Sequence, residues 1–187
     1  MKLILASASP RRAELLHSAG FEFTVAAANI DEVPQRGESA ENYTRRVAHE
    51  KATSVARTHA VAAGQQILGA DTEVVVDGSI LGKPRDAADA ARMLRLLSGR
   101  VHEVLTAVVL LGDRRTVESS VVTRVWFSGL TESEIGWYVA SGEPMGKAGA
   151  YAIQGLGARF VERLDGSWSN VVGLPLATVH QMLREVQ

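Results

Sequence analysis

The 187-residue chain contains no cysteine. That absence excludes disulfides, thiol catalysis, thiolate zinc sites and iron–sulfur clusters together, and it fits a reducing compartment. Aromatic residues make up only 5% of the chain, which leaves few side chains to stack along a nucleic-acid strand. Neither sign of charge prevails: 20 Lys and Arg face 21 Asp and Glu, for a net charge of −1. A protein that coats a polyanion would normally be basic. Polymeric nucleic acid is therefore an unexpected partner, whereas a small anion held by a few local cations is compatible with this balance. Long apolar runs are missing as well. The N-terminal one covers only residues 3–6 and Pro10 follows closely, too short for a signal-peptide core or a membrane span. The expectation is a cytoplasmic protein with no membrane contact, in which the sequon Asn42-Tyr43-Thr44 is a chance match.

What is present describes an ordinary folded domain. Hydrophobic residues make up 46% and charged residues 22%, values typical of globular proteins and far from those of disordered chains. A chain of this length folds as one compact unit, or as two small lobes sharing a core, and buries roughly 70% of its unfolded surface. No repeat, low-complexity tract or linker interrupts it, so residues 1–187 are read as a single domain.

Periodicity and breakers give an alternating start. Residues 2–6 read as a short buried strand, with Ser9 as helix N-cap and Pro10 at the first helical position. That helix runs to about 19, and residues 21–27 read as a second strand. Ser39 caps a long helix to about 62. A strand at 67–70 follows, then a hairpin of 74–76 with 80–81 through Asp77-Gly78. Asp86 caps a third helix that stops at Ser98-Gly99. Residues 101–111 and 116–127 form a long hairpin across 112–115. Thr131 with Glu134 makes a capping box for a helix to about 140. Residues 141–157 are glycine-rich loop with one short strand, 158–164 a strand, and 175–186 the last helix. The fold class is α/β with a mixed sheet flanked by helices.

Six stretches carry candidate chemistry. Ser7-Ala8-Ser9-Pro10-Arg11-Arg12 spans a strand-to-helix junction, where free N–H groups, the helix dipole, two hydroxyls and two guanidiniums suit a phosphate. The same string also describes a plain Ser-Pro helix start with solvated arginines. Lys51 falls on or beside the inward stripe of Tyr43, Val47 and Val55. It either meets an anion there or snorkels to water. Asp71, in Ala70-Asp71-Thr72, is placed at the end of an apolar strand, where ligands of α/β sheets bind. It can hold a divalent cation, take a proton from water, or merely cap a turn. Of Asp31 and Glu32, extended backbone lets only one face any site. Gly82-Lys83-Pro84 and the run Lys147 to Gly155 complete the set. Gly142 to Lys147 is one residue short of a P-loop and lacks its Ser or Thr. Gly155-Leu156-Gly157 lacks the third glycine of a dinucleotide fingerprint. The five histidines show no metal-ligand spacing, and no serine sits in a nucleophile elbow.

Taken in series these motifs resemble the Maf family. The resemblance rests on Ser7 to Arg12, Asp31-Glu32, Lys51-Ala52, Ala70-Asp71-Thr72, Gly82-Lys83-Pro84, Ser98-Gly99 with His102, Gly146 to Tyr151, and Asn170 to Pro175. It extends from residue 2 to the final helix. It implies a mixed α/β fold similar to inosine triphosphate pyrophosphatases, with two lobes around a cleft. The implied activity is cleavage of a nucleoside triphosphate between the α and β phosphates, with a divalent metal, Mg²⁺ or Mn²⁺. The family is also linked to inhibition of septum formation, and its members are often homodimers. One branch takes dTTP and UTP, another 7-methyl-GTP. Arg11, Thr72 and the Ile153-Gln154-Gly155 triplet match the dTTP/UTP branch, and glutamine offers the donor and acceptor that uracil or thymine presents in complement. The roles expected are Asp71 as general base, Glu32 and Asp71 as metal ligands, and Arg12, Lys51 and Lys83 as a polyphosphate clamp. Ser7 and Ser9 add hydrogen bonds, and Arg11, Thr72 and Gln154 set base choice. The alternative is a nucleotide-sensing regulator of cell division with incidental hydrolysis, or a 7-methyl-GTP pyrophosphatase. Glu73 and Ala107 depart from the usual family pattern.

Overall fold

The computed structural model describes residues 2–59, 64–112 and 115–186. Its strands are β1 (Lys2–Ala6), β2 (Phe23–Val25), β3 (Gln65–Val76), β4 (Ser79–Leu81), β5 (Val101–Leu111), β6 (Thr116–Phe127) and β7 (Val161–Asp165). Its helices are α1 (Pro10–Ser18), α2 (Ala40–Thr58), α3 (Ala87–Leu97), α4 (Glu132–Ala140), α5 (Trp168–Val172) and α6 (Leu176–Glu185). The strands form one sheet in the order β2-β1-β3-β5-β6-β7, with β4 paired to β3. β1 runs parallel to both neighbours, Leu3 opposite Phe23 and Ile4 opposite Ile67. β4 and β7 pair antiparallel with β3 and β6. The sheet is mixed, as its pattern of alternating and then hairpin-linked elements predicts.

The chain divides into two compact units, 1–72 with 106–121 and 173–187, and 73–105 with 122–172. In the first, Ile4, Ala6, Ala48, Ala52, Val55, Ile67 and Val109 build a core between α2 and the sheet. β1 is buried on both faces, with Leu5 and Ala6 fully inaccessible, as a central parallel strand requires. In the second, Val74, Leu94, Leu97, Val125, Phe127, Tyr138, Tyr151 and Phe160 pack together.

Several expected elements stand as read. β5 and β6 have the expected bounds. Ser39 and Asp86 accept the N–H groups of Asn42 and Asp89 as caps, and Thr131 with Glu134 forms the capping box. Asp77 (φ 48°) and Gly78 (φ 74°) make the β3–β4 turn, both left-handed, the conformation a two-residue hairpin loop demands.

Other boundaries differ. The strand expected at 67–70 and the first arm of the hairpin at 74–76 are one continuous β3, so Asp71 lies inside a strand and does not end one. β2 is three residues long. α2 ends at Thr58, and residues 60–62 of the helix predicted to about 62 lie outside the described residues. The same holds for Asp113 and Arg114 in the expected β5–β6 turn. Ser9 occupies the cap position of α1 without capping it. Its own N–H donates to Ser7 Oγ at 3.2 Å. Residues 141–157 contain no strand. They and the start of the strand expected at 158–164 form two 3₁₀ turns, Ala148–Ala150 and Leu156–Phe160, before β7 begins. The short α5 has too few residues to give an amphipathic period and was not expected.

Candidate active site

β1 ends at Ala6, opposite Gly69 of β3. The chain leaves the sheet through Ser7, Ala8 and Ser9 into α1, while β3 continues past Gly69 to Asp71. The carboxyl end of the parallel pair and the N-terminus of α1 thus meet beside Asp71, the position that binds ligands in α/β sheets. Because Ser9 does not cap with its side chain and the first turn holds no acidic residue, the early N–H groups of α1 retain their affinity for an anion.

Arg12 holds this corner together. It is 7% exposed. Nε donates to the Gly173 carbonyl at 2.8 Å, Nη1 to Ser7 Oγ at 3.1 Å and to the Ala70 carbonyl at 2.9 Å, and Nη2 to Thr72 Oγ1 at 3.0 Å. Thr72 Oγ1 lies 3.0 Å from Thr106 Oγ1 and also donates to the Gly173 carbonyl at 3.3 Å. Three stretches distant in sequence, at 7, 70–72 and 173, are therefore tied to one planar cation, the geometry that a guanidinium supplies and an ammonium does not, and Thr106 joins them through Thr72. Neighbouring Arg11 is half-buried and forms no hydrogen bond or ion pair among the described residues. Burial lowers its basicity, and the nearby Glu14 opposes that shift.

Lys51 belongs to the inward face of α2, between buried Val47 and Val55. The reading in which it snorkels to water does not hold: the residue is 7% exposed. Its Nζ lies 2.7 Å from Asp71 Oδ1 and 2.9 Å from Glu32 Oε1. A buried ammonium is tolerable in such company and costly without it. Asp71 is 4% exposed, and its second oxygen, Oδ2, is buried with no hydrogen-bond partner among the described residues. Buried polar atoms are rarely left so, and such an atom calls for a role. Of the Asp31-Glu32 pair it is Glu32 that turns to the site.

Ser7, Arg12, Glu32, Lys51, Asp71 and Thr72 are thus assembled in the first unit. Ser9 and Arg11 flank them at the start of α1. Lys83 and Gln154 belong to the second unit, both exposed. There the Gly82 carbonyl accepts the Gly149 N–H at 3.2 Å, which joins the Gly-Lys-Pro motif to the Lys-Ala-Gly-Ala-Tyr turn. Two participants escape sequence reasoning. Thr106 lies in an apolar strand and looks like any β-branched core residue. Gly173 acts through a carbonyl, which no side chain advertises. Among the described residues no group of three or more His, Asp or Glu side chains could hold a metal ion. Two carboxylates with one open oxygen nevertheless fit Mg²⁺ or Mn²⁺ that also takes ligands from a bound polyphosphate.

The fold and the corner define a class: an α/β protein with a mixed open sheet and a site that sets cations around carboxylates at the N-terminus of a helix. The chain belongs to the Maf-like protein family, whose model matches residues 2–186. It is 54% identical over 182 residues to the dTTP/UTP pyrophosphatase of Myxococcus xanthus (strain DK1622), covering 97% of this chain and 90% of that one. It is 51% identical over 182 residues to the dTTP/UTP pyrophosphatase of Shigella boydii serotype 4 (strain Sb227), covering 97% and 91%. The solved structure of the Staphylococcus aureus Ham1 protein superimposes with a TM-score of 0.55 over 100% of both chains at 12% identity, a likeness of fold. No helix among the described residues is long and apolar enough to cross a membrane.

Proposed function

We propose that this chain hydrolyses dTTP and UTP to the nucleoside monophosphate and pyrophosphate. The relatives carry that activity in their names, and the observation that carries the mechanism is the Lys51 ammonium shared by Asp71 and Glu32. Because Lys51 occupies Asp71 Oδ1, Oδ2 is the oxygen available to take a proton from water. That water attacks the α-phosphorus, the bond to the bridging oxygen breaks, and pyrophosphate leaves with the electron pair. Little covalent work is asked of the protein in such a reaction, and alignment and charge dominate. Lys51, Lys83 and Arg12 supply positive charge to the polyphosphate, with Arg12 acting chiefly by holding Ser7, Ala70 and Thr72 in place. The α1 N–H groups, Ser7 and Ser9 add donors.

A divalent cation, Mg²⁺ or Mn²⁺, held by Glu32, Asp71 and phosphate oxygens would neutralise the charge that develops on the phosphates. Arg11 and Gln154 set base choice. Thr72, whose hydroxyl is shared with Arg12, Thr106 and Gly173, contributes by fixing Arg12. We assign the enzyme to the cytoplasm, where free nucleotides are its substrates, and infer a homodimer. Modified pyrimidine triphosphates are further candidate substrates. The regulator and 7-methyl-GTP readings are not favoured by these relatives.

Asp71→Asn tests the assignment. Pyrophosphate release from UTP in Mg²⁺ should fall at least about a hundredfold, while titration calorimetry still shows nucleotide binding. Turnover at the wild-type rate removes Asp71 as base. Chelation of the divalent ion should abolish release, with Mg²⁺ or Mn²⁺ restoring it.

A further inference from the structure

The segment that presents Gln154 is fastened on both sides by one pair of side chains. Glu143 Oε1 accepts the Tyr138 hydroxyl at 2.8 Å and the Gly157 N–H at 3.0 Å, and Oε2 accepts the Leu156 N–H at 3.0 Å. The Tyr138 hydroxyl in turn accepts the Ala152 N–H at 3.1 Å. Backbone at 152, 156 and 157 therefore ends on a single carboxylate–phenol pair, with the exposed Gln154 between the fixed points.

The pair is itself built in. Tyr138 is fully buried and meets the edge of Phe160 with ring centroids 5.2 Å apart. Gly142, at φ 75°, reverses the chain after α4 and returns Glu143 towards Tyr138, a conformation open chiefly to glycine. Ser141 Oγ donates to the Tyr138 carbonyl at 2.6 Å and accepts the Glu143 N–H at 3.2 Å, and Lys147 Nζ donates to the Glu143 carbonyl at 2.6 Å. Burial opposes ionisation of Glu143. The N–H groups of Leu156 and Gly157, the Tyr138 hydroxyl and Lys147 outweigh it and hold the carboxyl below its ordinary value. The glycines are shaped to the pair. A Cβ at Gly155 would strike Glu143 Oε2, and one at Gly157 would stand 2.7 Å from the Tyr138 hydroxyl and 2.9 Å from the Ala152 carbonyl. Side chains at either position would push the loop off its anchor.

We propose that Glu143 and Tyr138 are positioning residues for base selection, a clamp that fixes the turn at 152–157 so that Gln154 reaches the pyrimidine edge from one fixed position. The inference rests on the assignment of Gln154 to base choice. A loosened turn would carry the glutamine amide away from the base edge, whereas a held backbone fixes the point from which that amide reaches.

The test compares kcat and KM for UTP and CTP in wild type, Glu143→Gln, Tyr138→Phe, Gln154→Ala and Leu97→Ala, each with a thermal melt. Glu143→Gln keeps the size but loses the charge and one of the acceptor oxygens. Both clamp variants should lower the UTP-over-CTP ratio of kcat/KM at least fivefold, through KM for UTP, with kcat for UTP within about threefold of wild type. Leu97→Ala opens a cavity in the same core at a residue outside the clamp and should lower the melting temperature without moving the ratio. If Tyr138→Phe fails to fold, Glu143→Gln, whose side chain is only partly buried, carries the test alone. A ratio that collapses in Gln154→Ala but holds in Glu143→Gln overturns the clamp alone. A ratio unmoved in Gln154→Ala overturns the base-choice assignment and the clamp with it.

Discussion

Arg12 donates through Nε, Nη1 and Nη2 to Gly173, Ser7, Ala70 and Thr72. Two of those acceptors are main-chain carbonyls, which cannot be replaced by choosing another side chain. A lysine has three donors on one nitrogen and no fixed plane, so it cannot reach acceptors this dispersed. Charge-assisted bonds are worth about 1.5–3 kcal/mol each, and stranded buried acceptors cost further. Arg12→Lys should therefore lower stability by about 2–4 kcal/mol in urea denaturation and reduce pyrophosphate release more than tenfold. Unfolding and turnover both matching wild type would show that the four contacts carry no weight. Lys51 illustrates the same logic from the other side. Its place on or beside the inward stripe was legible from the four-residue spacing with Tyr43, Val47 and Val55. The partners that make a buried ammonium tolerable were not, because Glu32 and Asp71 lie 19 and 20 residues away in the chain, beyond any local pattern.

At the scale of elements, the length of β3 decides where the site stands. Asp71-Thr72-Glu73 interrupts the apolar run and reads as the end of a strand, yet residues 66–76 stay largely buried throughout. Asp71 and Thr72 are accommodated by Lys51 and Arg12, and hydropathy cannot register such distant partners. β5 and β6, in contrast, follow from β-branched runs between turn residues and were legible to the residue. The 3₁₀ turns at 148–150 and 156–160 were not, since glycine-rich backbone admits many conformations.

The approach of α2 to β3 is set by Gly69, two residues before Asp71 and so on the same face of the strand. A Cβ there would strike the Ala48 carbonyl and lie 2.8 Å from Ala52 Cβ. Only glycine lets the helix come close enough for Lys51 to reach Asp71. Gly69→Ala should lift α2, cost about 1–3 kcal/mol of stability by overpacking, and lower turnover at least tenfold. Turnover preserved alongside lost stability would mean that the Lys51–Asp71 contact tolerates the shift.

Across the whole molecule, the two units are each assembled from separate stretches of chain, and each has its own core. That interleaving leaves no trace in composition, which explains why one domain was the natural reading of the sequence. The cores also differ in chemistry. The second contains His102, 2% exposed, edge-on to Phe127 and Tyr151 with centroids 5.0 and 5.4 Å away. Its Nε2 lies 2.8 Å from the Tyr151 hydroxyl. Burial lowers its pKa from 6.5 to about 4.

Between those two values only the unfolded chain takes up the proton, so stability falls as pH drops from 6.5 to about 4 and this contribution then levels off. At 1.36 kcal/mol per unit of pKa the full effect is about 3 kcal/mol. The carboxylates held low, among them Glu38 at about 2 and Glu132, act in another window. Their stabilisation is complete above the unfolded value of about 4.5 and is lost only as pH falls below it. From pH 6.5 to 4.5 these carboxylates contribute little, and a variant without the His102 ring singles out that imidazole. In urea denaturation across that interval, wild type should lose about 2–3 kcal/mol. His102→Gln keeps a hydrogen-bonding partner for Tyr151 without a titrating ring, and it should stay nearly flat. Parallel curves for the two proteins would place the acid sensitivity elsewhere than in the second core.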